Sequence, residues 1–347
     1  STLNQISEQI GKPNYDRSAV SVGIVHLGVG GFHRAHQARY TEAVLASGCD
    51  GCLSWGICGV GIMASDSTMR DTMREQDRLY MLWERGPAQE ELRVLGCHAE
   101  YLFAPEEHAL VAARLAAPAT KVVTLTVTEK GYCSNLATGS LDLSLEAVCR
   151  DVEELRQGSS RLMTAPGFLV DAALRRRESG APPLAILSCD NVQSNGDKCA
   201  RSVLELAEAA HGAELADYIR KNFSFPNSMV DRITPATTDS LKEELVAKSG
   251  LLDQWPVACE DFIQWIVEDR FPSGRPPWDN VLSGSCLFVE DVLPYELMKL
   301  RLLNGTHQAI GFVGLIAGYR SVHEAMLDET VFKFIEAYMD AVSLAVP

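Results

Sequence analysis

Residues 22–27 (VGIVHL) form a short apolar run that stops at Gly28, the pattern of a buried strand. Residues 32–46 (FHRAHQARYTEAVLA) then predict one helix, closed by Gly48. Residues 53–60 (LSWGICGV) predict a second strand, and Asp66 to Glu75 a short helix. Residues 121–127 (KVVTLTV) are β-branched and apolar, which suits a buried strand. Residues 184–189 (LAILSC) predict another, followed by a helix over 196–210. Strands alternating with helices predict an α/β fold with a mostly parallel, doubly wound sheet.

The pattern changes late in the chain. Residues 287–292 (LFVEDV) predict one more strand, and Pro294 opens a long helical stretch. Residues 295–318 are rich in Leu, Ile and Phe, and 330–346 again read as helix. The expected boundary lies near 290, just after the surface loop 272–277 (PSGRPP). Residues 1–289 then form a dinucleotide-binding domain and 290–347 a helical substrate domain.

Composition narrows the function classes. The 347 residues carry 31 Lys and Arg against 46 Asp and Glu, a formal net charge of -15. Such a chain repels polyphosphate at long range, so neither nucleic acid nor an anionic membrane is the expected partner. No stretch approaches the ~20 apolar residues that span a bilayer. Residues 1–20 lack the apolar core of a signal peptide, so a cytoplasmic location is expected. Because the chain starts with Ser, its start is expected to be processed or trimmed. The 10 cysteines are scattered, and Cys49-x-x-Cys52 has no second pair at zinc spacing. They are read as reduced thiols packed like small hydrophobes.

Gly28-Val29-Gly30-Gly31-Phe32-His33 lies where a strand meets a helix. In a dinucleotide fingerprint the first glycine permits a tight turn, and the second lets backbone N–H groups approach a pyrophosphate. Gly28, Gly30, Gly31 and Phe32 are therefore the candidate cofactor residues. The third fingerprint position, ordinarily Gly or Ala, is His33 here. The ribose-reading acid should follow the second strand, and the first acid there is Asp66. An acid at this point favours NAD over NADP. It reads equally well as an N-cap of the next helix.

Residues 294–311 (PYELMKLRLLNGTHQAIG) set polar groups among apolar ones. With Lys299 at zero and about 100° per residue, Glu296 falls at about 60°, His307 at about 80° and Asn304 at about 140°. Leu300, Leu303 and Gly311 share that arc. Polar groups buried on a core helix are costly unless paired or used. A lysine in an apolar pocket has its pKa lowered, and can take a hydroxyl proton as hydride leaves the carbon. Asn and His can hold the reacting oxygen. Glu296 could relay the proton. The alternative is a Glu–Lys pair on a solvated face, with Asn304 and His307 in packing and capping roles. Tyr295 and Lys299 also spell Y-x-x-x-K, the pair of short-chain dehydrogenases. That pair belongs much nearer the N-terminus of a single domain.

Taken together, HLGVGGFHRAHQA (26–38), TVTEKGY (126–132), SCDN (188–191) with NG (195–196), FPNSMVDRITP (225–235), WPVACEDFIQWIVEDRF (255–271) and KLRLLNGTH (299–307) resemble the polyol-specific long-chain dehydrogenases. This is the family that includes mannitol 2-dehydrogenase and fructuronate reductase, and the resemblance covers nearly the whole chain. It implies a Rossmann-type domain, a largely helical C-terminal domain, NAD or NADP as cofactor, no metal, and a monomer or weak homo-oligomer. It further implies that Lys299 is the general acid–base. Asn304, His307 and Asn191 are implied to bind the reacting oxygen. Asn227, Asp231 and Arg232 are implied either to line the substrate site or to brace it. Members of the mannitol type run well past residue 347, so the helical domain is expected to be incomplete here.

The expected reaction interconverts a polyol and its ketose, with D-mannitol and D-fructose first. Hexuronate reduction and arabinitol oxidation are the alternatives within the family. A hexuronate would need a cation for its carboxylate, and the motifs offer no unambiguous one. A non-catalytic nucleotide-binding protein is the alternative from another class.

Overall fold

A computed structural model describes residues 7–8, 10–87, 90–135 and 137–346. Residues 1–6 and Gln9, which belong to the segment read for a signal peptide, lie outside the described residues. The chain divides into two compact units, one ending at Phe288 and the other starting at Val289.

The first unit is built on a six-stranded sheet. Its strands are β1 (Val22–Leu27), β2 (Gly56–Gly61), β5 (His98–Phe103), β6 (Val122–Leu125), β7 (Leu184–Ser188) and β8 (Phe223–Ser224). Their order is β5-β2-β1-β6-β7-β8, and every pairing is parallel. The chain runs outward from β1 on one side, then returns to β6 on the other. The strand order therefore reverses between β1 and β6, the place where ligands gather at the carboxyl ends of open α/β sheets. This is the parallel, doubly wound sheet expected from the alternating pattern, with the Rossmann-type arrangement that the family resemblance implies.

Alternation along the strands feeds two cores. Val25 and Leu27, with Val123 and Leu125, pack under α4 (Ala104–Ala116), α5 (Glu146–Arg156), α6 (Ala165–Ser179), α7 (Asn195–His211) and α8 (Ala213–Asn222). Ile24, Ile57 and Leu187 point to the opposite face. There they meet α1 (Gly31–Ala35), α2 (Gln37–Ala46) and α3 (Ser67–Glu75). Most cysteines sit in these cores, as expected, while Cys49 and Cys149 are exposed free thiols.

Two smaller sheets complete the unit, and of their strands only β12 overlaps one expected from the sequence, at 287–292. One pairs β3 (Tyr80–Arg85) with β4 (Glu90–Leu95) and β10 (Val257–Glu260). The other pairs β9 (Ser228–Asp231), β11 (Gln264–Glu268) and β12 (Cys286–Val289). The helix α9 (Asp239–Ser249) lies between their strands in sequence.

Several expected boundaries shift. The helix expected over 32–46 is broken at His36, whose backbone (φ -108°, ψ -88°) is not helical. That turn lets His36 Nε2 bond the Gln264 carbonyl at 2.9 Å and sets its ring against Trp265. The second strand starts at Gly56, because Cys52–Trp55 form a 3₁₀ turn. The helix after it starts at Ser67, preceded by a 3₁₀ turn over Ala64–Asp66.

The second unit is helical. It contains α10 (Leu293–Met298), a π-helical segment Lys299–Asn304, α11 (Gly305–Ile316), α12 (Val322–Leu327) and α13 (Glu329–Ser343). Its core is Ile310, Ala325, Val331 and Ile335. Among the described residues, no helix is long and apolar enough to cross a membrane.

Candidate active site

The glycine turn is shaped by backbone geometry. Gly28 has φ +89°, and a Cβ there would lie 2.4 Å from the Thr126 carbonyl oxygen. Only glycine meets both demands. Its N–H donates to the Val60 carbonyl at 2.9 Å, which closes the turn over β2. Gly30 is the opposite case: a Cβ there would meet nothing within 4 Å. The peptide surface at Gly30 is therefore open to a ligand. Gly31 and Phe32 begin α1 and are half-buried.

His33 does not face this surface. It is fully buried, and its ring stacks on His26 with centroids 3.4 Å apart. His33 Nδ1 bonds Gln37 Oε1 at 3.1 Å, and His33 Nε2 bonds His98 Nε2 at 3.0 Å. His26 bonds Thr124 Oγ1 at 2.8 Å and Thr126 Oγ1 at 2.9 Å. The Thr126 hydroxyl donates to the Gly28 carbonyl at 2.6 Å. The turn thus rests on a buried hydrogen-bonded bed, and His33 belongs to that bed. Burial holds His26 and His98 down to about 3, and His33 well below its usual range.

Asp66 closes the 3₁₀ turn Ala64–Asp66, five residues beyond the end of β2, offset from the usual place of a ribose acid. Its Oδ2 accepts the Met63 N–H at 2.9 Å. The carboxylate therefore closes a capping box on the preceding 3₁₀ turn. It does not use its side chain to cap α3.

Two loops follow the strands beside the switch point. After β6, Thr128 takes φ 64° and ψ 170°, a region that branched side chains avoid. After β7, Asp190 is buried, while Asn191 is exposed. Asp190 Oδ1 accepts the Thr128 N–H at 2.8 Å, and Oδ2 accepts the Tyr132 hydroxyl at 2.5 Å. Burial raises the Asp190 carboxyl, against the lowering by these hydrogen bonds. Asn195, fully buried, donates to the carbonyls of Asp190 (2.9 Å) and Ser228 (2.8 Å). The sequence reading missed Asp190, Tyr132 and Asn195 as a frame. Their only signal was membership of the quoted motifs.

In the FPNSMVDRITP segment, two residues brace the fold. Asn227 Oδ1 accepts the N–H groups of Gly196 (2.9 Å) and Asp197 (3.1 Å) at the start of α7. Arg232 is buried and donates to the Ala35 carbonyl (2.6 Å) and to Glu84 (2.5 Å). Glu84 also meets Arg39 at 3.3 Å and Arg93 at 2.8 Å. Asp231 is half-buried at the end of β9.

In the helical unit the polar set is real, but its surroundings differ from expectation. Glu296, Lys299 and Asn304 are half-buried, and His307 is exposed. Leu300 and Leu303 are 49% and 41% exposed, so they build no apolar pocket around Lys299 within this unit. The reason is that α11 buries Thr306, Ile310 and Gly314, a stripe at i, i+4 and i+8.

The wheel also fails between Lys299 and Asn304, because this segment is π-helical. The Gly305 N–H reaches back to the Leu300 carbonyl, five residues earlier. The wider turn brings Asn304 closer in heading to Lys299 than the uniform wheel does. His307, three residues on, continues that side, and its Nδ1 bonds the Leu303 carbonyl at 3.3 Å. π-turns are rare and cluster at functional sites.

Residues 22–280 match the family model of the mannitol dehydrogenase Rossmann domain, and residues 291–346 match that of the mannitol dehydrogenase C-terminal domain. A mannitol 2-dehydrogenase of Pyricularia oryzae is 42% identical over 331 residues, covering 95% of this chain and 65% of that protein. Mannitol dehydrogenase 2 of Saccharomyces cerevisiae is 40% identical over 338 residues, covering 97% of this chain and 66% of that protein. The chain thus spans less than two thirds of the length of these relatives. Among solved structures, the Pseudomonas fluorescens mannitol 2-dehydrogenase ternary complex with NAD and D-mannitol matches with a TM-score of 0.90 and 40% identity, covering 100% of this chain and 69% of that one. A D-sorbitol dehydrogenase in substrate-free form matches with a TM-score of 0.91 and 37% identity, covering 98% of this chain and 68% of that one. On these matches, the chain belongs to the mannitol dehydrogenase family.

Proposed function

We propose that this chain carries out NAD-dependent interconversion of a polyol and its ketose, with D-mannitol and D-fructose as the pair. The observation that carries the reading is the likeness, over the whole chain, to a structure solved with NAD and D-mannitol. Residues 1–289 are assigned to cofactor binding and 290–347 to the substrate and catalytic machinery. The reading includes a cytoplasmic protein that is monomeric or weakly self-associating.

The residues present fit the cofactor. The open peptide surface at Gly30, beside the constrained turn at Gly28, suits a pyrophosphate approached by Gly28, Gly30, Gly31 and Phe32. Asp66 supplies a negative charge in the turn that follows β2, which favours ribose hydroxyls over a 2′-phosphate. NADP is therefore the weaker choice. When bound, the nicotinamide accepts or returns the hydride.

Lys299 takes the proton from the reacting hydroxyl during oxidation and returns it during reduction. Asn304 and His307, which follow it along the π turn, hydrogen-bond the reacting oxygen as its charge changes. Asn191 has the same role from the loop after β7. Glu296, one turn before Lys299, passes the proton to solvent. Asp231 completes the substrate contacts.

Turnover on mannitol, arabinitol, sorbitol and fructuronate, each with NAD(H) and NADP(H), tests this. Mannitol or fructose with NAD(H) should give the highest kcat/KM. Preference for fructuronate would move the assignment to hexuronate reduction, and preference for sorbitol would align it with the second structural neighbour. Cofactor binding without turnover on any of these would overturn the enzymatic reading.

A further inference from the structure

Asp190 stands between the end of β7 and Asn191, and is 7% exposed. Its carboxylate reaches across to the loop after β6. Oδ1 accepts the Thr128 N–H at 2.8 Å; Oδ2 accepts the Tyr132 hydroxyl at 2.5 Å and the Val127 N–H at 3.3 Å. Tyr132 also bonds Ser188 Oγ at 2.5 Å. The Asp190 carbonyl accepts Asn195 Nδ2 at 2.9 Å, which ties the same residue to the start of α7. One buried side chain thus fastens two loops that are 62 residues apart in sequence.

What it fastens is strained. Thr128 holds a left-handed backbone (φ 64°) that a β-branched residue keeps only when its surroundings enforce it. Thr126, two residues earlier, bonds the Gly28 carbonyl. A path of hydrogen bonds from the Gly28 turn to the residue before Asn191 therefore runs through the Asp190 contacts.

We propose that Asp190 is a positioning residue: it locks the Thr128 turn against the loop after β7, so that Asn191 is presented in one fixed orientation to the reacting oxygen. The proposal rests on the function proposed above, because Asn191's role belongs to that reading. In this reading Asp190 acts through Asn191, its own carboxylate being taken up by Thr128, Val127 and Tyr132.

The test compares wild type, Asp190→Asn and Tyr132→Phe. Asn keeps the shape but turns one acceptor into a donor, so it cannot serve Thr128 N–H, Val127 N–H and Tyr132 together. Expected for Asp190→Asn is a kcat for mannitol oxidation lower by about 10- to 100-fold, with the NADH Kd changed less than about threefold. Amide exchange at Val127 and Thr128 should speed up at least about tenfold while the rest of the sheet stays protected. Tyr132→Phe, which removes one Asp190 contact together with the bond to Ser188, should show the same changes in smaller measure, and carries the test if Asp190→Asn does not fold. Unchanged kcat, or NADH binding lost in step with kcat, would overturn the proposal while leaving the polyol reading intact. If wild type turns over no polyol, that reading fails on its own. The exchange at Val127 and Thr128 then decides the lock: unchanged protection overturns it, and selective loss supports it.

Discussion

The rings of His26 and His33 stack 3.4 Å apart, directly beneath the Gly28 turn. Burial favours the neutral form of both. With His98 they form a buried set whose folded pKa values are held down, to about 3 for His26 and His98. An unfolded histidine titrates at about 6.5. The stability they contribute is present above pH 6.5 and is lost as pH falls from there toward 3. At pH 5, unfolding should take up about one proton for each of these histidines. His26→Phe should reduce that uptake by about one, measured from the pH dependence of the unfolding free energy. An unchanged slope would show that His26 is already charged in the folded protein.

Lys299→Ala should lose turnover by about 10²- to 10⁴-fold, the span of general acid–base catalysis. NADH affinity should stay within about twofold, because the glycine turn lies in the other unit. Steady-state kinetics with a separate fluorescence titration of NADH separates the two. Near-normal turnover would remove Lys299 from the mechanism.

The two turn glycines should fail differently. Gly28→Ala forces a Cβ to 2.4 Å from a carbonyl oxygen at φ +89°, and should cost about 2 kcal/mol or more of stability. Gly30→Ala meets nothing within 4 Å, so its stability should change by less than about 1 kcal/mol. If the pyrophosphate approaches at Gly30, NADH affinity should nonetheless fall about tenfold or more. Denaturant unfolding and NADH titration of both variants give the comparison, and intact NADH binding in Gly30→Ala would move the cofactor elsewhere.

Arg232 reads as a brace in this structure. Its buried guanidinium meets Glu84, which Arg39 and Arg93 also approach. Arg232→Met should destabilise the protein by about 3 kcal/mol, because it leaves a buried network one cation short. The KM for mannitol of the protein that remains folded should change little. A raised KM with normal stability would instead put Arg232 against the substrate.

The sheet and the turn were legible because each rests on local pattern. VGIVHL followed by Gly28 shows an apolar run and then a turn, and Val22–Leu27 is fully buried. The strands over 80–103 were not legible, since EELRVL mixes exposed acids with a buried edge in a small sheet. Lys299, Asn304 and His307 were legible as a group, but uniform helical spacing took no account of the π-helical segment between Lys299 and Asn304. A π turn has no signal in the pattern of apolar residues. Asp190 was invisible as a frame because its partners, Thr128 and Tyr132, are close only after folding.

The π segment has one more consequence. It works as a phase adjuster between two lengths of the same helix. Downstream, Thr306, Ile310 and Gly314 must face the core of the helical unit. Upstream, Glu296 and Lys299 keep an independent heading. Removing one residue from 299–304 would restore a continuous α-helix and swing one length against the other by about 100°. Either the core stripe or the proposed catalytic set would then point the wrong way. The surplus residue is what lets one helix combine packing with the proposed chemistry.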